Sequence, residues 1–269
     1  MTATHHVLDP AAGQTVGPGL VALGVMTKAP QAGRVKTRLT PPLTAEEAAA
    51  LNTCFLRDTA VAIAQVAATG RAKGIGVYTP IGAEAAYQGI LPEEFDLLPQ
   101  RGDGFDERLL CATEDLLSLG FESVCLIDSD SPTVPPRAYA EAVAILAREG
   151  DRIVLGPSDD GGYYLIGLKK VNAAIFTGID WSTERVLEQT LSRAREGRLE
   201  VHLLPAWYDV DDRATLRRLC DELFGQNGDR PAGHDASHTR EYLQRLIERE
   251  GRDRIWPARN ASQTDDGAA

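Results

Sequence analysis

Short apolar runs alternate along this chain with longer segments of helical periodicity, and that alternation limits the possible folds more than any other feature. Residues 21–26, 74–79, 95–99, 123–127, 152–156, 163–168 and 200–204 read as strands. Residues 44–68, 83–89, 106–119, 136–148, 183–196, 212–224 and 239–250 read as helices. The best strands, VALGVM and SVCLI, are apolar throughout. A strand with one wet face alternates polar and apolar residues, whereas a continuous apolar run needs cover on both faces. The pattern predicts a mainly parallel sheet sandwiched between helices. Ligands of such sheets gather at the carboxyl ends of the strands. The residues following Met26, Ile127 and Gly156 are therefore the first candidates for chemistry.

Local signals support this reading. Thr44 and Glu47 have the spacing of a capping box, and Pro136 stands where a helix tolerates proline. Residues 1–19 read as a flexible lead-in, 20–224 as one α/β domain, and 225–269 as a linker, a charged helix and a frayed tail. The first residues carry no basic stretch followed by an apolar core, and no apolar run approaches the ~20 residues of a membrane span. These features lead to the expectation of a cytoplasmic protein. Cys54, Cys111, Cys125 and Cys220 are widely spaced, which fits reduced thiols better than a zinc site.

The 269 residues carry 28 basic and 39 acidic side chains, a net charge of −11. Such a balance argues against binding to a nucleic-acid backbone. Yet between residues 11 and 45 there is no acid, while Lys28, Arg34, Lys36 and Arg38 crowd one loop. A basic loop after a buried strand suits the phosphates of a nucleotide, with Lys28, Pro30, Gly33, Lys36, Thr37 and Arg38 as the candidate contacts. The alternative is a solvated basic loop. It has neither the Walker nor the Rossmann glycine spacing.

Acidic segments follow two other strands. In Asp128-Ser129-Asp130 the two carboxylates point the same way in extended chain and can share a divalent cation such as Mg²⁺ or Mn²⁺. In Asp209-Val210-Asp211-Asp212 the first and third acids can face that ion, while Asp212 caps a helix. Turn-forming alternatives exist for both. The loop Gly156-Pro157-Ser158-Asp159-Asp160-Gly161-Gly162-Tyr163-Tyr164 is either a hairpin or a substrate loop, with Asp159 or Asp160 binding hydroxyls. Trp181, Ser182 and Thr183 form either a helix start or a wall for an acceptor.

The segments VALGVMTKAPQAGRVKTRL, LIDSDSP, VLGPSDDGGYYLIGL, WSTERV and WYDVDDRATLRRL, in this order, resemble a family of bacterial transferases encoded beside radical-SAM and selenium-associated genes. That family carries the provisional label of glycosyltransferase. The resemblance covers about residues 20–222 and implies a GT-A (nucleotide-diphospho-sugar transferase) fold. Wider relatives include molybdenum-cofactor and 2-phospho-L-lactate guanylyltransferases. By resemblance, Lys28, Lys36 and Arg38 hold a nucleotide triphosphate, and Asp128, Asp209 and Asp211 hold the metal, with Asp130 beside them. The resulting expectation is a Mg²⁺-dependent (or Mn²⁺-dependent) nucleotidyltransferase acting on a small phosphorylated acceptor, with Lys36, Arg38 and Asp128 as its catalytic residues. Glycosyl transfer from a nucleotide-diphospho-sugar is the alternative reaction. A nucleotide-binding protein without catalysis is the alternative from another class.

Overall fold

The computed structural model describes residues 5–13, 15–225 and 233–256. Its centre is a sheet of seven strands in the order β3-β2-β1-β4-β6-β5-β7. These are β1 (Val21–Lys28), β2 (Ala72–Thr79), β3 (Asp96–Pro99), β4 (Ser123–Ile127), β5 (Arg152–Pro157), β6 (Tyr163–Leu168) and β7 (Glu200–Leu203). β1 pairs in parallel with β2 and with β4, and β5 in parallel with β7. Only β6 runs against its neighbours, β4 and β5, among the described strands. The expected mainly parallel α/β sheet is therefore present, with one reversed strand.

The pleat sorts the apolar residues into two cores. Leu23 and Val25 of β1, with Cys125 and Ile127 of β4, join one core. Ala22 of β1, with Val124 and Leu126 of β4, joins the other. On the first face lie α1 (Ala45–Ala67), α3 (Pro136–Leu146), α5 (Arg213–Phe224) and α6 (Ser237–Glu250). On the second lie α2 (Phe105–Ser118) and α4 (Val186–Glu196). Two-sided cover explains why β1 and β4 show no polar alternation. The helix expected at 83–89 is a short 3₁₀ turn, Glu84–Tyr87.

Both ends of the chain pack onto this body where they are described. The expected lead-in contains Val7, which bridges Leu97 at the edge of the sheet, and Leu8, which is buried. Gln14 and the linker residues 226–232, like the tail 257–269, lie outside the described residues. The C-terminal helix α6 docks along α1. Asp58 of α1 is fully buried, and its carboxylate accepts hydrogen bonds from the backbone N–H groups of His238 (3.0 Å) and Thr239 (2.8 Å). A carboxylate thereby satisfies two free donors at the start of α6. Thr44 and Glu47 form the anticipated capping box of α1, and Glu47 also receives Arg249 and Arg254 from the C-terminal segment.

Asp58→Ala should destabilise the protein by about 2 kcal/mol, the upper end for loss of a helix cap, because the N–H groups of His238 and the buried Thr239 lose their acceptor. Urea denaturation checks this, and an unchanged midpoint contradicts the assigned cap.

Candidate functional site

The carboxyl ends of β1 and β4 lie side by side, where the chain leaves the sheet in different directions. Lys28 ends β1 and begins the basic loop. Asp128 follows β4, and its N–H donates to Tyr164 of β6 (2.9 Å). The segment after β7 runs beside the end of β5. There Trp207 N–H donates to Pro157 (2.9 Å) and Asp159 N–H to Trp207 (2.9 Å). The backbone N–H of Val210 donates to the carbonyl of Asp130 (2.9 Å), joining the two acidic segments. Sheet order thus assembles acids from distant parts of the sequence at one point.

Lys36 enters this cluster from the basic loop. Its backbone is left-handed, with φ +48°. Its side chain is only 4% exposed. The ammonium lies 2.7 Å from Asp211 Oδ1 and 2.9 Å from Asp130 Oδ1, and donates to the Val210 carbonyl at 2.8 Å. These three acceptors match its three N–H donors. Burial alone would lower the lysine pKa, but Asp130 and Asp211 outweigh it and hold the pKa above its ordinary value. Arg38 stands farther out, 74% exposed and 3.7 Å from Asp211.

Asp128 and Asp209 have no salt-bridge partner among the described residues. Asp128 accepts a hydrogen bond from Ser131 Oγ (2.7 Å), and Asp209 faces Ser158 Oγ at 3.4 Å. Burial and the neighbouring Asp130 charge push the Asp128 carboxyl well above its usual range. Burial, followed by the charges of Asp160 and Asp211, pushes Asp209 up to about 6. Asp212 behaves differently. It caps α5 by accepting from Thr215 N–H (2.8 Å), and that bond lowers its pKa.

Two adjoining clefts open onto the cluster. The first, of about 290 Å³, is lined by Lys28, Arg34, Lys36, Thr37, Arg38, Asn52, Asp130 and Asp211, among others. The second, of about 510 Å³, is bordered by Asp128, Asp160, Asp209 and Glu184, and by Tyr163, Trp181 and Phe105. Ser182 and Thr183 also line it. Arg38, Asp130 and Asp211 belong to both clefts. The basic loop and the acids therefore face each other.

Several candidates occupy different positions from those expected. Pro30 and Gly33 do not line the first cleft. Gly33 serves the turn, at φ +73°, rather than allowing close approach, since a Cβ there would meet nothing within 4 Å. Asp159 turns away from the second cleft to pair with Arg218 (2.6 Å), whose guanidinium also stacks on Tyr208. The 158–162 loop is a hairpin as well as a cleft wall, with Ser158 N–H donating to Gly162 O at 3.0 Å. Gly161 contributes through its backbone. At φ +87°, a Cβ would approach the Glu184 carbonyl oxygen to 2.1 Å. Phe105 and Asn52 line the clefts without having been among the candidates. Asn52 did leave a signal, as a polar residue on the buried face of α1. Phe105, 52% exposed at the start of α2, meets Trp181 edge-on at 5.0 Å, a contact made only by folding.

Among the described residues, no three His, Cys, Asp or Glu side chains form a ready-made metal cage. Mg²⁺ does not require one, since it commonly takes one or two carboxylates and completes its shell with water and substrate phosphates. The all-oxygen donor set, and the lack of an ion pair at Asp128 and Asp209 among the described residues, fit such an ion. Of the four aspartates expected as ligands, Asp130 and Asp211 are already engaged by Lys36.

The fold defines a class, a nucleotide-diphospho-sugar transferase-like α/β sandwich. The structure is similar to that of a protein from Desulfovibrio desulfuricans G20 described as a candidate nucleotide-diphospho-sugar transferase. The two share 28% sequence identity over 85% of this chain and 97% of that one, with a TM-score of 0.71. A family described as "Uncharacterized protein conserved in bacteria (DUF2064)" matches residues 62–183. Looser likenesses include a 4-diphosphocytidyl-2C-methyl-D-erythritol synthase from Anaerococcus prevotii, with 11% identity over 84% and 97% of the chains and a TM-score of 0.48. No curated protein matches the chain. No helix among the described residues is long and apolar enough to cross a membrane.

Asp128→Asn should raise thermal stability at pH 7, because a carboxyl whose pKa is raised by folding opposes folding when ionised. The gain should shrink as pH falls through the raised folded value and vanish below the ordinary carboxyl value of 3.8. Thermal melts of both proteins at pH 7 and near pH 3 measure it, and a stability loss at pH 7 contradicts the crowding described.

Proposed function

We propose that the protein transfers a glycosyl group from a nucleotide-diphospho-sugar to a hydroxyl acceptor, with help from a divalent cation. One observation carries this reading. A cationic cleft of phosphate size continues, through the shared Arg38, Asp130 and Asp211, into a cleft of carboxylates and aromatic rings. Cations and phosphates attract, whereas the second cleft is suited to an uncharged ring. Carboxylates accept hydrogen bonds from sugar hydroxyls, and Trp181 and Phe105 offer apolar surface to its C–H face.

On this reading Lys28, Arg34 and Arg38 bind the diphosphate. Asp128 and Asp209 would hold a Mg²⁺ or Mn²⁺ ion, which supplies positive charge against the departing diphosphate. The acceptor oxygen bonds to the anomeric carbon, the sugar–phosphate bond breaks, and the nucleoside diphosphate leaves with the electron pair. Asp160 lines the second cleft and takes the acceptor proton, whereas Asp159 is occupied by Arg218. The protein's contribution is chiefly placement and electrostatics.

Nucleotidyl transfer remains the second reading, favoured by the density of cations in the loop that holds Lys28, Arg34, Lys36 and Arg38. Against it, the second cleft gives a phosphorylated acceptor many carboxylates and one cation, Arg38. The experiment is a product assay with Mg²⁺ and panels of nucleotide-sugars, triphosphates and acceptors. The proposal expects nucleoside diphosphate from a nucleotide-sugar, and pyrophosphate release from a triphosphate overturns it. Arg34→Ala should raise the donor KM roughly tenfold, the effect of losing one charge-assisted phosphate contact, with a smaller change in kcat.

A further inference from the structure

We infer that Lys36 is the resident counter-ion of the acidic cluster, holding Asp130 against Asp211 and opposing a divalent cation at the adjoining Asp128 and Asp209. The inference rests on the metal-assisted reading above, but it reassigns a residue expected to grip phosphate. A phosphate-binding lysine needs N–H donors directed at the ligand. Lys36 has none spare, since Asp211, Asp130 and the Val210 carbonyl use all three. The side chain is buried, and Phe55 lies beneath the ammonium, 5.7 Å from nitrogen to ring centre. The neighbouring cations differ. Lys28 and Arg34 line the same cleft and make no ion pair among the described residues, so their charge is available to phosphate.

The position of Lys36 joins two chain segments. Asp130 follows β4 and Asp211 precedes α5, so the ammonium ties the floor of the cleft to its wall. A divalent ion held by Asp128 and Asp209 would feel the lysine charge, whose field already reaches both carboxylates, and would be repelled by it. The lysine therefore keeps the cluster assembled and weakens its hold on metal until the anionic phosphates of a nucleotide arrive nearby. Lys36 is a positioning residue in this account, because it acts through the carboxylates and does not touch the transferred group.

The test is a calorimetric titration with Mn²⁺ alone, with no nucleotide present, on the full chain. Lys36→Met should bind Mn²⁺ at least about tenfold more tightly than the natural protein, because the opposing cation has gone. Lys28→Met removes the same charge from the same cleft without touching the acids, and should change Mn²⁺ affinity by no more than about twofold. If Lys36→Met does not fold, as judged by circular dichroism, Lys36→Gln retains a polar side chain and carries the same expectation. Unchanged, weaker or undetectable Mn²⁺ binding by the folded variant overturns the inference, as does equal tightening in Lys28→Met. A parallel titration with a nucleoside diphosphate separates the two proposals. If neither the natural protein nor the variant binds it, the transferase reading fails while the Mn²⁺ result stands on its own.

Discussion

The contact between the Lys36 ammonium and the carboxylates of Asp130 and Asp211 organises the functional end of this molecule. A buried lysine needs partners, and half-exposed carboxylates crowded together repel one another unless a cation lies between them. Here each requirement answers the other. The basic loop after β1, the end of β4 and the segment before α5 are drawn together by that exchange. The backbone bond from Val210 to Asp130 reinforces it. Asp128 and Asp209 form no ion pair with Lys36, and burial, followed by the neighbouring aspartate charges, raises their pKa values.

The division of charge between the two clefts follows from this arrangement. Lys28, Arg34 and Arg38 give the first cleft its positive character, while Lys36 is spent internally. The second cleft collects carboxylates and three aromatic rings. A protein with a net charge of −11 thereby gathers a local cluster of positive side chains at one cleft. The α/β scaffold places both clefts at the carboxyl ends of strands, which is the usual location for ligands in such sheets.

Much of the scaffold was legible along the chain, for reasons tied to particular residues. β4 and β6 have the expected boundaries because uninterrupted apolar runs end there at Asp128 and begin there after Gly161-Gly162. Thr44 and Asp212 cap their helices as expected, since capping depends on residues only three positions apart. The reversal of β6 was less legible, because an apolar strand looks the same in either direction. The pairing of Asp159 with Arg218 was invisible for a similar reason. Both residues of Asp159-Asp160 suit a substrate, and the α5 arginine that captures one of them is remote in sequence. The start of α4 at Val186, rather than 183, reflects the hydrogen bond from Leu187 N–H to Gly161 O, which anchors that turn across the cleft.

Periodicity, capping pairs and local charge are properties of neighbouring residues, so the linear order of amino acids already specified the layered α/β architecture. It also specified the basic loop and the acidic segments that meet at the site. Which donors remain free for a ligand is a property of proximity across the fold. Only the packed chain commits Lys36 to two aspartates and a carbonyl, turns Asp159 outward, and brings Phe105 against Trp181. The physical reason is that hydrogen-bonding capacity is finite. A side chain's role depends on which partners reach it first, and folding sets those distances.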